Sequence, residues 1–407
     1  MPTEENYTIA TKEQTKSKQN STFGRSQLHD ACGYGQLETV QQLLTDGTCW
    51  INQKTSAGRT ALHEASAGGH VAVVKLLLSY DADFSAEDRD GRTALHVAAF
   101  NGELAVLKCL IQKGASATLV DKQGRSLSHL ASIRNHAKIL RYLFDFGIDL
   151  ECTCSVGKMP MHYAAQHGGL ECLISLVERD CDTTLPDDNG LLAAHYAAMY
   201  DNLDCLRFLI QQGTSLEVVQ GEGRTPAHLA AMKGALTCLH WLLEKGANPN
   251  IQDMHGNTVG HCAIETGQAK AFNCYLQHDG LIDVLNSKNE DLHQTARRYG
   301  HPNLMDRAMK NEVTCDTCFR AYKYHVWQTA NQPKPVERSI TRASRKAYAP
   351  YVHGNRSESP PPIKIKPVRS KKKNAKNTDN KDGDENAELP KRDIAAKYFG
   401  EFLEGGI

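Results

Sequence analysis

The chain has 407 residues, 47 basic and 47 acidic side chains that sum to zero formal charge, 13 cysteines and 40% hydrophobic residues. Length alone suggests two or three domains. The absence of any run of about 20 apolar residues excludes a membrane-spanning helix, and GxxxxGK[ST], HExxH and an ordered catalytic triad are all missing.

Residues 1–23 are polar (YTIATKEQTKSKQN) without the apolar stretch of a signal peptide, so a disordered N-terminal tail on an intracellular protein is expected. On that expectation the cysteines are free thiols, and the sequons at Asn6, Asn20 and Asn355 carry no glycan.

From residue 24 a histidine recurs: His29, His63, His96, His129, His162, His195, His228, His261 and His293. The steps are 34, six times 33, then 32 residues. Such a period marks a solenoid whose units must stack to bury a core. A turn glycine precedes the first eight histidines by five residues, from Gly24 to Gly256. Two residues after it stands a capping hydroxyl at Ser26, Thr60, Thr93, Ser126, Thr225 and Thr258. Met159 and Leu192 break that rule, so units five and six are expected to lose a cap worth about 1 kcal/mol. An alanine follows each of the same eight histidines by two, and a second helix closes on an apolar pair such as Leu110 and Ile111. Asn135 and Asp201 replace a glycine between the two helices, which suggests local softness in units four and six. Lys288 stands where the ninth turn glycine is expected.

The segments GRTALHVAAFNGELAVLKCLIQKGA (91–115) and GRTPAHLAAMKGALTCLHWLLEKGANPN (223–250) resemble the ankyrin repeat family. The resemblance covers eight full units and a degenerate capping ninth (NEDLHQTARRYGHPNL). It implies an all-α solenoid over 24–310, with β-turn fingers and a concave face that binds protein partners. First-helix positions one, four and five after the histidine carry Val97, Phe100, Leu130, Ile133, Tyr163, Gln166, His167, Tyr196, Met199, Tyr200, Leu229, Met232 and Lys233. Aromatics and methionines suit interfaces, so Phe100, Ile133, Tyr163, Gln166, His167, Tyr196, Met199, Tyr200, Met232 and Lys233 are the expected contact residues. The fingertip bases Arg25, Arg59, Arg92, Arg125, Lys158 and Arg224 are common in such turns and carry little functional weight. The repeat histidines, 33 residues apart, are too far separated to converge on one ion and are expected to bond structurally between units.

Beyond the repeats, residues 311–330 hold Cys315 and Cys318 with Phe319, Tyr322 and Val326 at helical spacing. A capping helix is the simpler reading; a metal site with His325 or a redox pair are the alternatives. Residues 331–376 carry 13 Lys and Arg against 2 Glu, while 24–330 carry 27 against 34 acidic residues. A disordered, basic, proline-containing linker over 331–388 follows from that composition. Its run Lys364, Lys366, Arg369, Lys371, Lys372 and Lys373 reads as a nuclear import signal or a solubilising tail. No aromatics interleave in it for base stacking, which argues against sequence-specific nucleic-acid binding. In 389–407, Ile394, Tyr398 and Phe402 with Phe399 and Leu403 form one apolar face of a short amphipathic helix.

The second helices ECLISL, DCLRFL and TCLHWL look like those of espin-type ankyrin domains. That likeness makes actin an alternative partner, although the chain shows no actin motif. The expectation is a monomeric, non-enzymatic adaptor without cofactor, cytoplasmic or nuclear.

Overall fold

Every repeat unit builds two short helices, because its apolar residues come in two clusters parted by a residue that tolerates left-handed backbone. The computed structural model describes residues 25–47 and 49–310. Nine helix pairs follow one another. They are Gln27–Gly33 with Leu37–Thr45, Ala61–Ala67 with Val71–Ser79, Ala94–Asn101 with Leu104–Gln112, and Leu127–Ile133 with Ala137–Asp145. Then come Pro160–Gln166 with Leu170–Val177, Ala193–Met199 with Leu203–Gln211, Pro226–Lys233 with Leu236–Glu244, Val259–Glu265 with Ala269–Gln277, and Leu292–Arg298 with Leu304–Met309. No strand occurs among the described residues. The expected segments 1–23, 311–330 with Cys315 and Cys318, 331–388 and 389–407 lie outside the described residues.

First helices pack on first helices of neighbouring units and second helices on second helices, giving two layers. The first layer is apolar all round: six consecutive residues, Ala94 to Ala99, are buried, as in a helix flanked on both sides. Ala65, Ala98, Ala131, Ala164, Ala197 and Ala230 are wholly buried, where only a methyl group fits between backbones. The second helices bury one face, such as Val106, Leu107, Cys109 and Leu110. Helices of six to nine residues are marginal alone, so stacking sustains them.

The repeated histidine is the rivet between units. The backbone N–H of the capping residue donates to its Nδ1, at 3.2 Å for Thr93 to His96. The ring proton therefore sits on Nε2, which donates across to the next unit: to the Arg92 carbonyl from His63 (2.9 Å) and to the Lys158 carbonyl from His129 (2.8 Å). Burial lowers all eight ring pKa values, to about 4 for His129 and His195, and the bonded rings stay neutral. Met159 and Leu192 keep the backbone bond to Nδ1, at 3.0 and 3.1 Å, and are themselves buried. Both units lose the hydroxyl contact, and in unit five His162 Nε2 is also buried without a hydrogen-bond partner, whereas His195 Nε2 still reaches the Val218 carbonyl at 3.1 Å.

Two expectations need correction. Asn135 and Asp201 do adopt the left-handed conformation, both at φ 59°, but they do not loosen their units. Their side chains accept the N–H of Cys172 (3.1 Å) and Cys238 (2.8 Å) in the next unit, a bond no glycine can make. The ninth finger is also intact. Asn289, at φ 56°, takes the glycine's part, and Asn286 Oδ1 accepts Lys288 and Glu290 N–H as Asp253 does in the preceding finger. Gln294, 33 residues after His261, holds the histidine's place: Asp291 N–H donates to its Oε1 and its own N–H donates to Asp291 Oδ1. His293 is an exposed neighbour outside the series.

Candidate partner-binding surface

The fingers are locked by a buried aspartate that serves two units. Asp88 Oδ1 accepts the N–H of Asp90 and Arg92 within its own turn, while Oδ2 faces Arg59 of the preceding unit at 3.8 Å. Asp121 repeats the pattern with Arg92 at 3.7 Å, and Asp253 with Arg224 at 3.1 Å. These carboxylates are almost wholly buried, and hydrogen bonds from Arg125 hold the Asp121 carboxyl below its usual range against the opposing effect of burial. The fingertip arginines are thus structural clamps.

The clamp is interrupted in the middle of the chain. Cys154 and Gln220 stand at aspartate positions, and Lys158 and Leu191 at arginine positions. Arg125, without a carboxylate ahead of it, turns back to Asp121 at 2.7 Å. Tyrosines fill the gap: Tyr196 OH donates to Asp187 at 2.6 Å, and Tyr163 OH lies 3.5 Å from Cys154 Sγ. Burial and these neighbours push both phenols up. Lys158 Nζ sits 4.2 Å from the Tyr196 ring centre, a cation–π contact, and burial lowers its pKa.

Where Leu191 replaces the arginine, a groove of about 300 Å³ opens between the fingers and first helices of units six and seven. Leu191, Met199, Leu229 and Met232 supply its apolar wall, and Glu222, Arg224 and Lys233 its charged rim, with Arg224 paired to Glu222 at 2.6 Å. Such a mix of adaptable apolar surface and a few placed polar groups suits a side-chain anchor of a polypeptide.

Of the sequence-derived contact residues, Met199, Met232 and Lys233 meet in this groove. Tyr200 and His167 are exposed, while Phe100, Ile133, Tyr163 and Gln166 are half-buried. Phe100 lies under the Arg134 guanidinium at 4.6 Å. Tyr196 does not fit the expectation: it is 4% exposed, its hydroxyl drawn inward by Asp187. Leu191 and Glu222 escaped the sequence reading and Arg224 was given little weight in it, although Leu191 was detectable as the one apolar residue in a column of Arg, Lys and Asn. Exposed apolar fingertips were missed too, including Val120, Val156, Val219 and Met254.

Cysteines 109, 172, 205, 238 and 274 are buried in the helix layers as expected. Burial pushes Cys172 and Cys205 up to about 12, which suppresses thiolate chemistry. Cys152 Sγ lies 3.9 Å from His129 Nδ1, but that nitrogen already accepts the Ser126 N–H and has no lone pair left for the thiol proton.

A family model of ankyrin repeats, three copies long, matches residues 7–88, 28–121, 95–187, 161–253 and 195–287, together spanning 7–287. The chain belongs to the ankyrin repeat family. It therefore carries a protein–protein interaction module. The match is to the repeat as such and does not extend to the espin type. No curated protein matches the chain. Among the described residues no helix is long and apolar enough to cross a membrane.

Proposed function

We propose that this ankyrin repeat protein is a non-enzymatic adaptor of the cytoplasm, or of the nucleus through its basic run. Its solenoid seats an apolar anchor of one protein partner in the groove of units six and seven. The carrying observation is the Leu191 break in the arginine clamp, beside which Met199 and Met232 line open space. Lys233 at the rim favours an acidic group beside the anchor. A second partner held by residues 331–407 would meet the first at high effective concentration.

The test compares affinity capture by the wild-type chain and by a Met199→Glu, Met232→Glu double variant, after circular dichroism shows that both fold. Loss of one partner from the variant alone supports the reading. Identical partner sets from the two chains refute it.

A further inference from the structure

On the second-helix layer, away from the groove, unit seven carries His240 and Glu244 one turn apart in Leu236–Glu244. Unit eight carries Cys274 in Ala269–Gln277 and His278 one turn later. The two helices are neighbours in the stack. They bring the ligand atoms of His240, Cys274 and His278 within 4.8 Å of one another, with His240 Nδ1 and His278 Nε2 only 3.4 Å apart. Two imidazole nitrogens bound at about 2.0–2.1 Å to one tetrahedral zinc ion stand about 3.3 Å apart, and a nitrogen and a thiolate sulfur about 3.6 Å. The nitrogen pair already has that separation, so only the Cys274 side chain has to close on the ion.

We propose that His240, Cys274 and His278 bind one zinc ion that staples unit seven to unit eight. Sequence columns sharpen the case. At the position of His240 the other units carry Gln41, Lys75, Lys108, Arg141, Ile174, Arg207 and Asn273, and at that of His278 they carry Asp46, Tyr80, Lys113, Phe146, Arg179, Gln212 and Lys245. Histidine occurs in neither column elsewhere, so this junction alone sets two imidazoles beside a buried thiol; Cys109, in the column of Cys274, lies between Lys75 and Lys113 instead. Glu244 Oε2 approaches His240 Nε2 at 3.8 Å, which places an outer carboxylate beside the ring nitrogen that does not face His278. One cysteine and two histidines are a borderline-soft donor set suited to zinc, with water in the fourth position. Binding deprotonates the thiol, and its proton passes to solvent.

The test uses the full chain with Cys315→Ser and Cys318→Ser, which removes a CxxC pair able to bind cobalt by itself, kept reduced and titrated with Co²⁺. One equivalent should produce thiolate-to-cobalt charge-transfer absorption and tetrahedral visible bands, and Zn²⁺ should abolish both. The partly exposed histidines allow folded controls, so His240→Ala and His278→Ala, checked by circular dichroism, should each lose the bands. Absence of the bands in the parent, or their survival in both variants, overturns the proposal.

Discussion

Acidification should dismantle the histidine rivets before it reaches the buried carboxylates. His129 and His195 are held at about 4 in the folded chain against an ordinary value of 6.5, because burial disfavours the imidazolium. A group whose folded pKa is depressed binds more protons when unfolded, so its stabilisation is complete above 6.5 and is lost as pH falls towards 4. At pH 5 the linkage amounts to about 2 kcal/mol for each ring, or about 4 kcal/mol for the pair if their units unfold together. The other six rings shift in the same direction and add to the loss. Urea titrations followed by circular dichroism at pH 7.5, 6.5, 5.5 and 5.0 would measure the effect. The midpoint should hold between the first two and then fall steeply, and a His195→Gln variant should lose less between pH 6.5 and 5.0 than the wild type. A midpoint that is flat or rising from 6.5 to 5.0 would refute the assignment of neutral, desolvated rings.

Three further outcomes follow from the packing. Asp201→Ala removes the bond to Cys238 N–H and leaves an alanine at φ 59°; a loss of about 2–3 kcal/mol is expected in urea unfolding, and no change would remove the inter-unit cap. Gly256→Ala places a methyl group 2.6 Å from the backbone nitrogen of Ser287 at φ 71°, so the eighth and ninth fingers should separate and lower the unfolding midpoint by more than Gly246→Ala, whose Cβ meets nothing. Cys172 and Cys205, held at about 12, should resist a thiol reagent at pH 7 until urea unfolds the chain; rapid labelling of the native protein would contradict their placement.

The fold was legible because the repeat is written in residues with fixed geometric duties: glycine at the finger, hydroxyl at the cap, histidine as rivet, alanine at the close approach. Where a duty passes to a different residue type, the pattern misleads. His293 mimics the period while Gln294 performs the task, since an amide can accept one backbone bond as imidazole does. Asn135 and Asp201 looked like weakened glycines because their partners, Cys172 and Cys238, lie 37 residues away. The surface was legible in part: Met199, Met232 and Lys233 follow from helical position alone. Tyr196 has the same kind of address and is buried, because Asp187, nine residues earlier, pulls its hydroxyl inward. The cluster of His240, Cys274 and His278 was hidden because its ligands come from two units and form no short motif.

The claim that the groove of units six and seven is the partner surface can be tested by site-specific photo-crosslinking. A photoreactive phenylalanine analogue replaces Met232 in one chain and Lys138, exposed on a second helix of unit four, in another. The account predicts a covalent adduct with the captured partner from position 232 and none from 138. An adduct from 138 with none from 232 would contradict it.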